Sequence, residues 1–452
     1  MEVERISEDF IKPSSPTPLH LKTFKICLLD QFMTPAYVPM IFFYPNNDLA
    51  SNDLNLMITK RSLLLKKSLS ESLTQFYPLA GKLKDDISID CNDEGAYYVN
   101  ARVHNITLYD YLEHPHLTSM HKLLPIREIL FTQSPPGSHV AMVQETTFAC
   151  GGVAVGVSVS HMLMDGISAS RFVKHWAAAA TATAGYLPNF DASVSMFPQF
   201  HPFPKQANYN SLMAPICRIG KLGTRRFVFD ESSLLALKAE SRVENATRVE
   251  AVSALLMKCI MSVFKTCRSG IEKPGLSVHP VNLRRRATPP LSDGLIGNLI
   301  WSAAALVKPE ETDLATLIWG LREAIKKLDS ELVKKIQGDE GFFKLYEKVK
   351  EMGNLIGRNG GGVDGVLFSS WCNFGLYDIN FGWGKPIWTS FVGSSGGNNE
   401  IPFLNTVVLM DGTTKKGMEA WVFLSEDELD LLDKDEHLLS FASLNPTLPF
   451  SL

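Results

Sequence analysis

His161 and Asp165 stand four residues apart in His161-Met162-Leu163-Met164-Asp165-Gly166. A neutral imidazole can accept a proton near neutral pH, which makes His161 a candidate general base. Just before it, Val153 to Ser160 alternates valines with small residues at period two and reads as a buried strand. Just after it, Ala169, Phe172, Val173, Trp176 and Ala180 recur at three- and four-residue steps, with one single step, and predict a helix. His161 is therefore expected at a strand-to-helix joint, where rigid scaffold can aim a side chain into a cleft. The same residues allow a plainer reading. His161 would then be an ordinary loop residue, and Asp165-Gly166 a helix N-cap and turn.

The rest of the chain alternates helix-like and strand-like patterns. Leu65, Leu69, Leu73 and Phe76 form an apolar stripe, so residues 61–77 read as a helix ended by Pro78. Residues 196–222 carry four prolines without clear periodicity and read as a crossover linker. Beyond it, residues 226–230 read as a strand, and 232–239 and 249–263 as helices. Leu314, Leu317, Ile318, Leu321, Ile325, Leu328 and Leu332 predict one longer helix, and 342–352 a further short one. Residues 366–368, 406–410 and 418–424 read as strands, the last two paired. His114, His116 and His121 are expected on a surface loop.

Two glycine patterns are decoys. Gly360, Gly362 and Gly365 fit a dinucleotide fingerprint but lead into a strand instead of a helix. Gly393-Ser394-Ser395-Gly396-Gly397 fits a nucleophile elbow but also leads towards a strand. No cluster of histidines, cysteines or carboxylates has convincing metal-ligand spacing.

Composition narrows the function classes. Lysine and arginine number 44 against 48 acidic residues, a net charge of -4, which argues against a general nucleic-acid or membrane-surface role. The hydrophobic fraction of 45% is enough for sizeable cores. The uncharged run from Thr146 to Met164 approaches the ~20 residues of a membrane span, but its glycines, serines and strand period speak against one. Seven cysteines with no Cys-x-x-Cys pair indicate reduced thiols in a cytosolic protein. No signal peptide is apparent at the acidic N-terminus.

The pattern His161-x-x-x-Asp165-Gly166 resembles the signature of the plant BAHD acyltransferases, which use coenzyme A thioesters. A second signature matches Asn380-Phe381-Gly382-Trp383-Gly384, where the family has Asp in place of Asn380. Pro13-Ser14-Ser15-Pro16-Thr17-Pro18, Phe76-Tyr77-Pro78-Leu79-Ala80-Gly81, Val281-Asn282-Leu283-Arg284, Ile296-Gly297-Asn298 and Ser369-Ser370-Trp371 also fall in the family's order. Separated motifs in one order are far more specific than either alone. Within the family, the chain is most similar to the branch that acetylates alcohols on indole and other alkaloids.

The resemblance implies an α/β fold of two similar-sized domains, related to chloramphenicol acetyltransferase, with a solvent tunnel between them. The domains would span 1–195, carrying His161, and 223–452, joined by the 196–222 linker, with a segment near 380–404 packing on the first. It implies an acyl-CoA-dependent O-acyltransferase, a cytosolic monomer with no permanently bound cofactor, acting on a hydroxyl of an alkaloid or related plant metabolite. His161 would deprotonate the alcohol in a direct ternary complex with the acyl-CoA. Ser369 and Trp371 would supply oxyanion donors, although a Trp after a strand is as often simply core. Asp165 would pair with Arg284 and support the site instead of acting on substrate. Lys258 is placed as a coenzyme A phosphate ligand by position alone, and a solvated helix face is the competing reading. Asn380 keeps one acceptor oxygen but loses the family's charge.

The family's malonyl-transferring branch carries Tyr-Phe-Gly-Asn-Cys where this chain has Leu295-Ile296-Gly297-Asn298-Leu299. Met418 to Leu424, expected near the acyl site, holds no Lys or Arg. Acetyl-CoA is thus the expected donor. Two alternatives of other classes are a serine esterase using Ser395, which requires a helix after Gly397, and a non-catalytic small-molecule-binding homologue.

Overall fold

A strand buried on both faces needs covering layers on both sides, and Val153–Ser160 has all eight residues buried. In the computed structural model, which describes residues 1–33, 35–46, 53–126, 134–204, 207, 211, 213–357, 362–394, 400–414 and 416–448, this strand lies inside a six-stranded sheet. The order is Glu4–Ile11, Ala96–Val103, Ala141–Phe148, Val153–Ser160, Tyr37–Tyr44, Trp388–Ser390. Helices Leu54–Gln75 and Gly166–Ala180 join its core through Leu65, Leu69, Leu73, Phe172 and Trp176. The Trp176 indole N–H donates to the Leu65 carbonyl (3.1 Å) and to Ser68 Oγ (3.0 Å), fastening one helix to the other. A Cβ at Gly156 would lie 2.1 Å from the Leu123 carbonyl oxygen, so only glycine lets the chain cross that face.

The second sheet has seven strands, in the order Ile300–Val307, Gly275–Asn282, Asp364–Ser370, Thr406–Asp411, Met418–Phe423, Arg225–Phe229, Ser443–Leu444. Period two divides its side chains between two cores. Val407, Leu409, Ala420 and Val422 pack with helices Glu231–Ser241, Arg248–Cys267 and Leu314–Lys326. Val408, Met410, Trp421 and Phe423 point the other way and join the core of the first sheet. The two halves therefore share one apolar contact layer. Strands Gly275–Asn282 and Asp364–Ser370 pair in parallel as far as Val278 and Leu367, and from there each pairs only with its outer neighbour.

Several elements differ from expectation. The stripe from Leu314 to Leu332 is two helices, Leu314–Lys326 and Ser330–Lys335, because the Asp329 carboxylate accepts from Leu332 N (2.9 Å) and starts a new helix. The helix expected at 342–352 runs from Gly341 to Gly357. The 196–222 segment contains a strand, Arg218–Gly220, paired with Ile401–Phe403. His121 lies in a short 3-10 helix, Leu117–Leu123, instead of a loop. Residues 358–361 and 395–399, including Gly360, Ser395, Gly396 and Gly397, lie outside the described residues. The element next described after Gly397 is the strand Ile401–Phe403, where an esterase elbow would need a helix. All seven cysteines are free thiols. Among the described residues no helix is long and apolar enough to cross a membrane, and no group of three His, Cys, Asp or Glu could hold a metal.

Candidate active site

His161 is the first residue after the Val153–Ser160 strand, and its backbone N–H is tied to the Ala36 carbonyl (2.8 Å). A tight turn follows, with Leu163 N donating to Ser160 O (3.1 Å). The helix then opens at Gly166 with Asp165 as its N-cap, Oδ1 accepting from Ser168 N (2.7 Å). The plainer reading of Asp165 is thus correct as far as it goes. The same carboxylate also accepts from Arg284 Nη1 at 2.6 Å. Arg284 is fully buried, and its Nη2 donates to Ser168 Oγ (2.9 Å) and to the Leu295 and Gly297 carbonyls (both 3.1 Å). Among the described residues no hydrogen bond joins Asp165 to His161, so Asp165 supports the turn without bonding to the imidazole.

The partner of the His161 ring is Asn298, whose Oδ1 lies 2.9 Å from Nδ1. Asn298 Nδ2 donates to the His161 carbonyl (2.7 Å) and to Asp30 Oδ1 (2.8 Å). Both of its amide hydrogens face acceptors, so Oδ1 is the atom turned to the ring. Oxygen can only accept there, and Nδ1 carries the hydrogen. Nε2 is left as the proton acceptor. Burial is the main influence on the imidazole and holds it below the ordinary histidine range, against the opposing Asp165 charge and the Asn298 bond. A ring pushed towards its neutral form, whose Nε2 makes no hydrogen bond among the described residues, has the lone pair that a general base needs.

Trp371 follows the strand Asp364–Ser370 and is anchored by its backbone N–H to Leu409 O (2.7 Å). Its ring is 7% exposed and meets Phe391 edge to face at 5.3 Å. A Cβ at Gly166 would come within 3.6 Å of the Trp371 ring and 2.9 Å of Phe374, so both rings sit on the start of the helix that follows His161. The indole N–H donates to Ser369 Oγ (3.2 Å). That bond separates the two oxyanion candidates. Trp371 has committed its only donor, while the Ser369 hydroxyl keeps a hydrogen to offer. Ser369 pairs across the sheet with Val408, on the face turned to the first sheet.

The remaining site residues lie further off. Asn380 Oδ1 accepts from Gly382 N (2.8 Å) and Gly384 N (3.0 Å), closing a turn in which both glycines have positive φ (107° and 116°). Phe381 packs on Trp176 (4.8 Å), and Trp383 lies against Tyr44 and Arg61. The segment is a brace on the first sheet, and one amide oxygen performs the bonding seen there. Lys258 is half-buried on the helix Arg248–Cys267, which covers the face of the second sheet turned away from His161. It forms no ion pair among the described residues. Beside the strand Met418–Phe423 stands a cation that the strand's own sequence did not disclose. Arg226, on the neighbouring strand, donates through Nη1 to Glu419 (3.0 Å), and both are buried. Trp388 Nε1 donates to the same carboxylate (3.2 Å).

Two further residues escaped the sequence reading. Asn298 stood in a family-like segment without a role, and 137 residues separate it from His161. Asp30 follows the apolar Cys27-Leu28-Leu29, where no periodicity marks it.

The Transferase family matches residues 1–439 of the chain. The chain is 45% identical to epi-neemfruitin B 7-O-acetyltransferase of Melia azedarach, covering 99% of this chain and 100% of that protein. It is 42% identical to limonoid 7-O-acetyltransferase of Citrus sinensis, covering 99% of each. The crystal structure of vinorine synthase superposes with a TM-score of 0.80 at 32% identity, covering 98% of this chain and 99% of that one. The expected likeness to vinorine synthase holds at 34% identity over 95% of the chain, and the two 7-O-acetyltransferases share more of the sequence. The fold is the two-domain, chloramphenicol acetyltransferase-like α/β fold. The family match over residues 1–439 and full-length kinship, together with a histidine at a strand-to-helix joint and an arginine-held turn after it, identify this chain as a member of the BAHD acyltransferases, enzymes whose co-substrate is an acyl-coenzyme A.

Proposed function

We propose that this enzyme moves an acetyl group from acetyl-coenzyme A to a hydroxyl of a limonoid or closely related polycyclic plant alcohol, with His161 as general base. The observation that carries the reaction is the contact of Asn298 Oδ1 with His161 Nδ1, which sets the tautomer of the ring. With hydrogen on Nδ1, Nε2 takes the alcohol proton as the oxygen attacks the thioester carbonyl carbon. The Ser369 hydroxyl, polarised by the Trp371 indole, is the donor for the resulting oxyanion. Collapse breaks the carbon–sulfur bond, and His161 returns its proton to the departing thiolate. No acyl-enzyme forms, and His161 ends neutral.

The acceptor class rests on kinship. The two relatives named above are 7-O-acetyltransferases by name, one of them expressly of limonoids. The acetyl donor has support from charge. Arg226 is already neutralised by Glu419, and a malonyl carboxylate entering beside that pair would meet a buried anion. Asn380 gives no reason to doubt turnover, because its oxygen closes the turn that the brace requires.

The test is a mass-spectrometric assay in which acetyl- and malonyl-coenzyme A compete at equal concentration. Acceptors would be limonoids with a free 7-hydroxyl and, separately, indole alkaloid alcohols. A single added acetyl on the limonoid, at the 7-oxygen, is expected. Acetylation of the alkaloids alone would overturn the acceptor class, and a mainly malonylated product would overturn the donor.

A further inference from the structure

We propose that Asp30 is a positioning residue for acyl transfer, fixing through Asn298 the tautomer and the aim of the His161 imidazole. The inference rests on the reading of His161 as the base. Asp30 belongs to a single helical turn, Leu28–Gln31, that sits between the two halves and is only 2% exposed. Its Oδ1 accepts from both the backbone N–H of Asn298 (2.7 Å) and the side-chain Nδ2 (2.8 Å). Its Oδ2 accepts from Cys27 N (2.9 Å). Gln31, next in sequence, holds the turn in place through two bonds to the Phe200 backbone, one given (3.1 Å) and one accepted (2.9 Å).

The consequence concerns one rotation. An asparagine amide can turn over and exchange its oxygen with its NH2 at little cost in size. Turned over, Asn298 would present its NH2 to His161 Nδ1, and the ring would move its hydrogen to Nε2. That tautomer has no lone pair left for the alcohol proton. The turned amide would also set its oxygen against the Asp30 carboxylate and the His161 carbonyl, acceptor against acceptor. Of these two, the carboxylate carries a full charge and opposes the rotation most strongly. A neutral residue at position 30 could turn its own amide to suit either state. The negative charge of Asp30 is therefore what makes one tautomer the rule.

The chemistry of the surroundings agrees. Three N–H groups point at the carboxylate, and no Lys or Arg bonds to it among the described residues. The titratable neighbour on its own turn is the Cys27 thiol, itself pushed up by burial, and across Asn298 it is His161. Burial raises Asp30 to about 6 although the N–H groups of Asn298 and Cys27 and the Cys27 thiol pull the other way. A proton on Oδ1 would displace Asn298, and one on Oδ2 would displace the Cys27 N–H; either removes the charge that holds the Asn298 amide in one orientation. Acid should thus disable the base twice, once at His161 and once at the residue that aims it.

The experiment compares wild type, Asp30→Asn, Asn298→Ala and His161→Ala, assayed with acetyl-coenzyme A and the accepted alcohol across pH 5 to 9. Histidine-selective 15N labelling reads the His161 tautomer directly. Asp30→Asn should lose about 10²-fold in kcat, the usual effect of a misaimed catalytic group, with both KM values little changed. Its acid limb should fall with one proton where the wild type falls with two, and its His161 signals should show a mixture of Nδ1–H and Nε2–H forms. Asn298→Ala should show the same mixed signals and serves if Asp30→Asn does not fold. If His161→Ala is inactive while the Asp30 or Asn298 variant keeps the wild-type kcat, acid slope and single tautomer, the inference is overturned. Full activity in His161→Ala would instead sink the reading of His161 as base.

Discussion

Arg284 and Asp165 meet at 2.6 Å with both side chains withdrawn from water, joining segments 119 residues apart. Asp165 simultaneously starts the Gly166–Ala180 helix, and Arg284 holds the Leu295 and Gly297 carbonyls one residue short of Asn298. One ion pair therefore shapes both the turn that carries His161 and the strand of chain that carries its ring partner.

Removing either member should leave a buried, unpaired charge. Asp165→Ala and Arg284→Ala are each expected to cost about 3–5 kcal/mol of stability, and to lower activity with it. The double variant should lose much less than the sum, though not be silent, because the helix cap and the two carbonyl bonds go as well. Denaturant unfolding of the three variants measures the coupling. Simple additivity would mean that the two residues act independently.

His161→Ala should lower kcat by about 10²–10⁴-fold without unfolding the protein. Its ring makes one side-chain hydrogen bond, to Asn298, and the backbone anchor to Ala36 survives the change. Circular dichroism and single-substrate kinetics together check this; near-normal turnover in a folded variant rules out the base.

The pH profile follows from burial. Protonated His161 cannot accept the alcohol proton, and its pKa lies below the ordinary value of about 6.5. Activity should therefore stay level as pH falls from 8 through 7 and decline only below that ordinary value. In stability the sign is the same. The folded state resists the proton that the unfolded chain accepts, so His161 removes stability as pH drops through its unfolded pKa. A kcat/KM profile breaking above pH 7 would show that the ring is not desolvated.

Asn380→Asp restores the family's residue and should be close to neutral for both kcat and melting temperature, since Oδ1 already serves both glycine N–H groups. Asn380→Ala should cost about 0.5–1.5 kcal/mol by removing the acceptor of those two partly exposed donors. Thermal unfolding decides it, and a large gain of activity in Asn380→Asp would show that the missing charge matters.

The joint at His161 was legible because two periods meet there: alternation up to Ser160, then three- and four-residue steps from Ala169. The strand pair Thr406–Asp411 and Met418–Phe423 was legible for the same reason. Periodicity misled at Leu328 and Leu332, which keep helical spacing across a break made by the Asp329 cap. It was silent at Trp388–Ser390, too short to show a period, and at Asp30, one polar residue after an apolar run. Asn298 and Arg226 work through contacts across the fold, and local spacing does not encode those. The acceptor class was not legible, because the shared motifs serve the chemistry common to the family.

Trp388–Ser390 completes the sheet that carries His161 by pairing with Tyr37–Tyr44, although about 340 residues lie between them. On the ribosome, the nascent chain must wait for that edge. At ordinary synthesis rates the gap lasts roughly 20–70 seconds, during which Tyr37–Tyr44, rich in aromatic and branched residues, has an open side. The first half of this protein is thus translated long before it can be finished. A gene split near residue 200 would yield an N-terminal fragment with a permanently exposed edge, prone to aggregate unless the C-terminal fragment is made beside it.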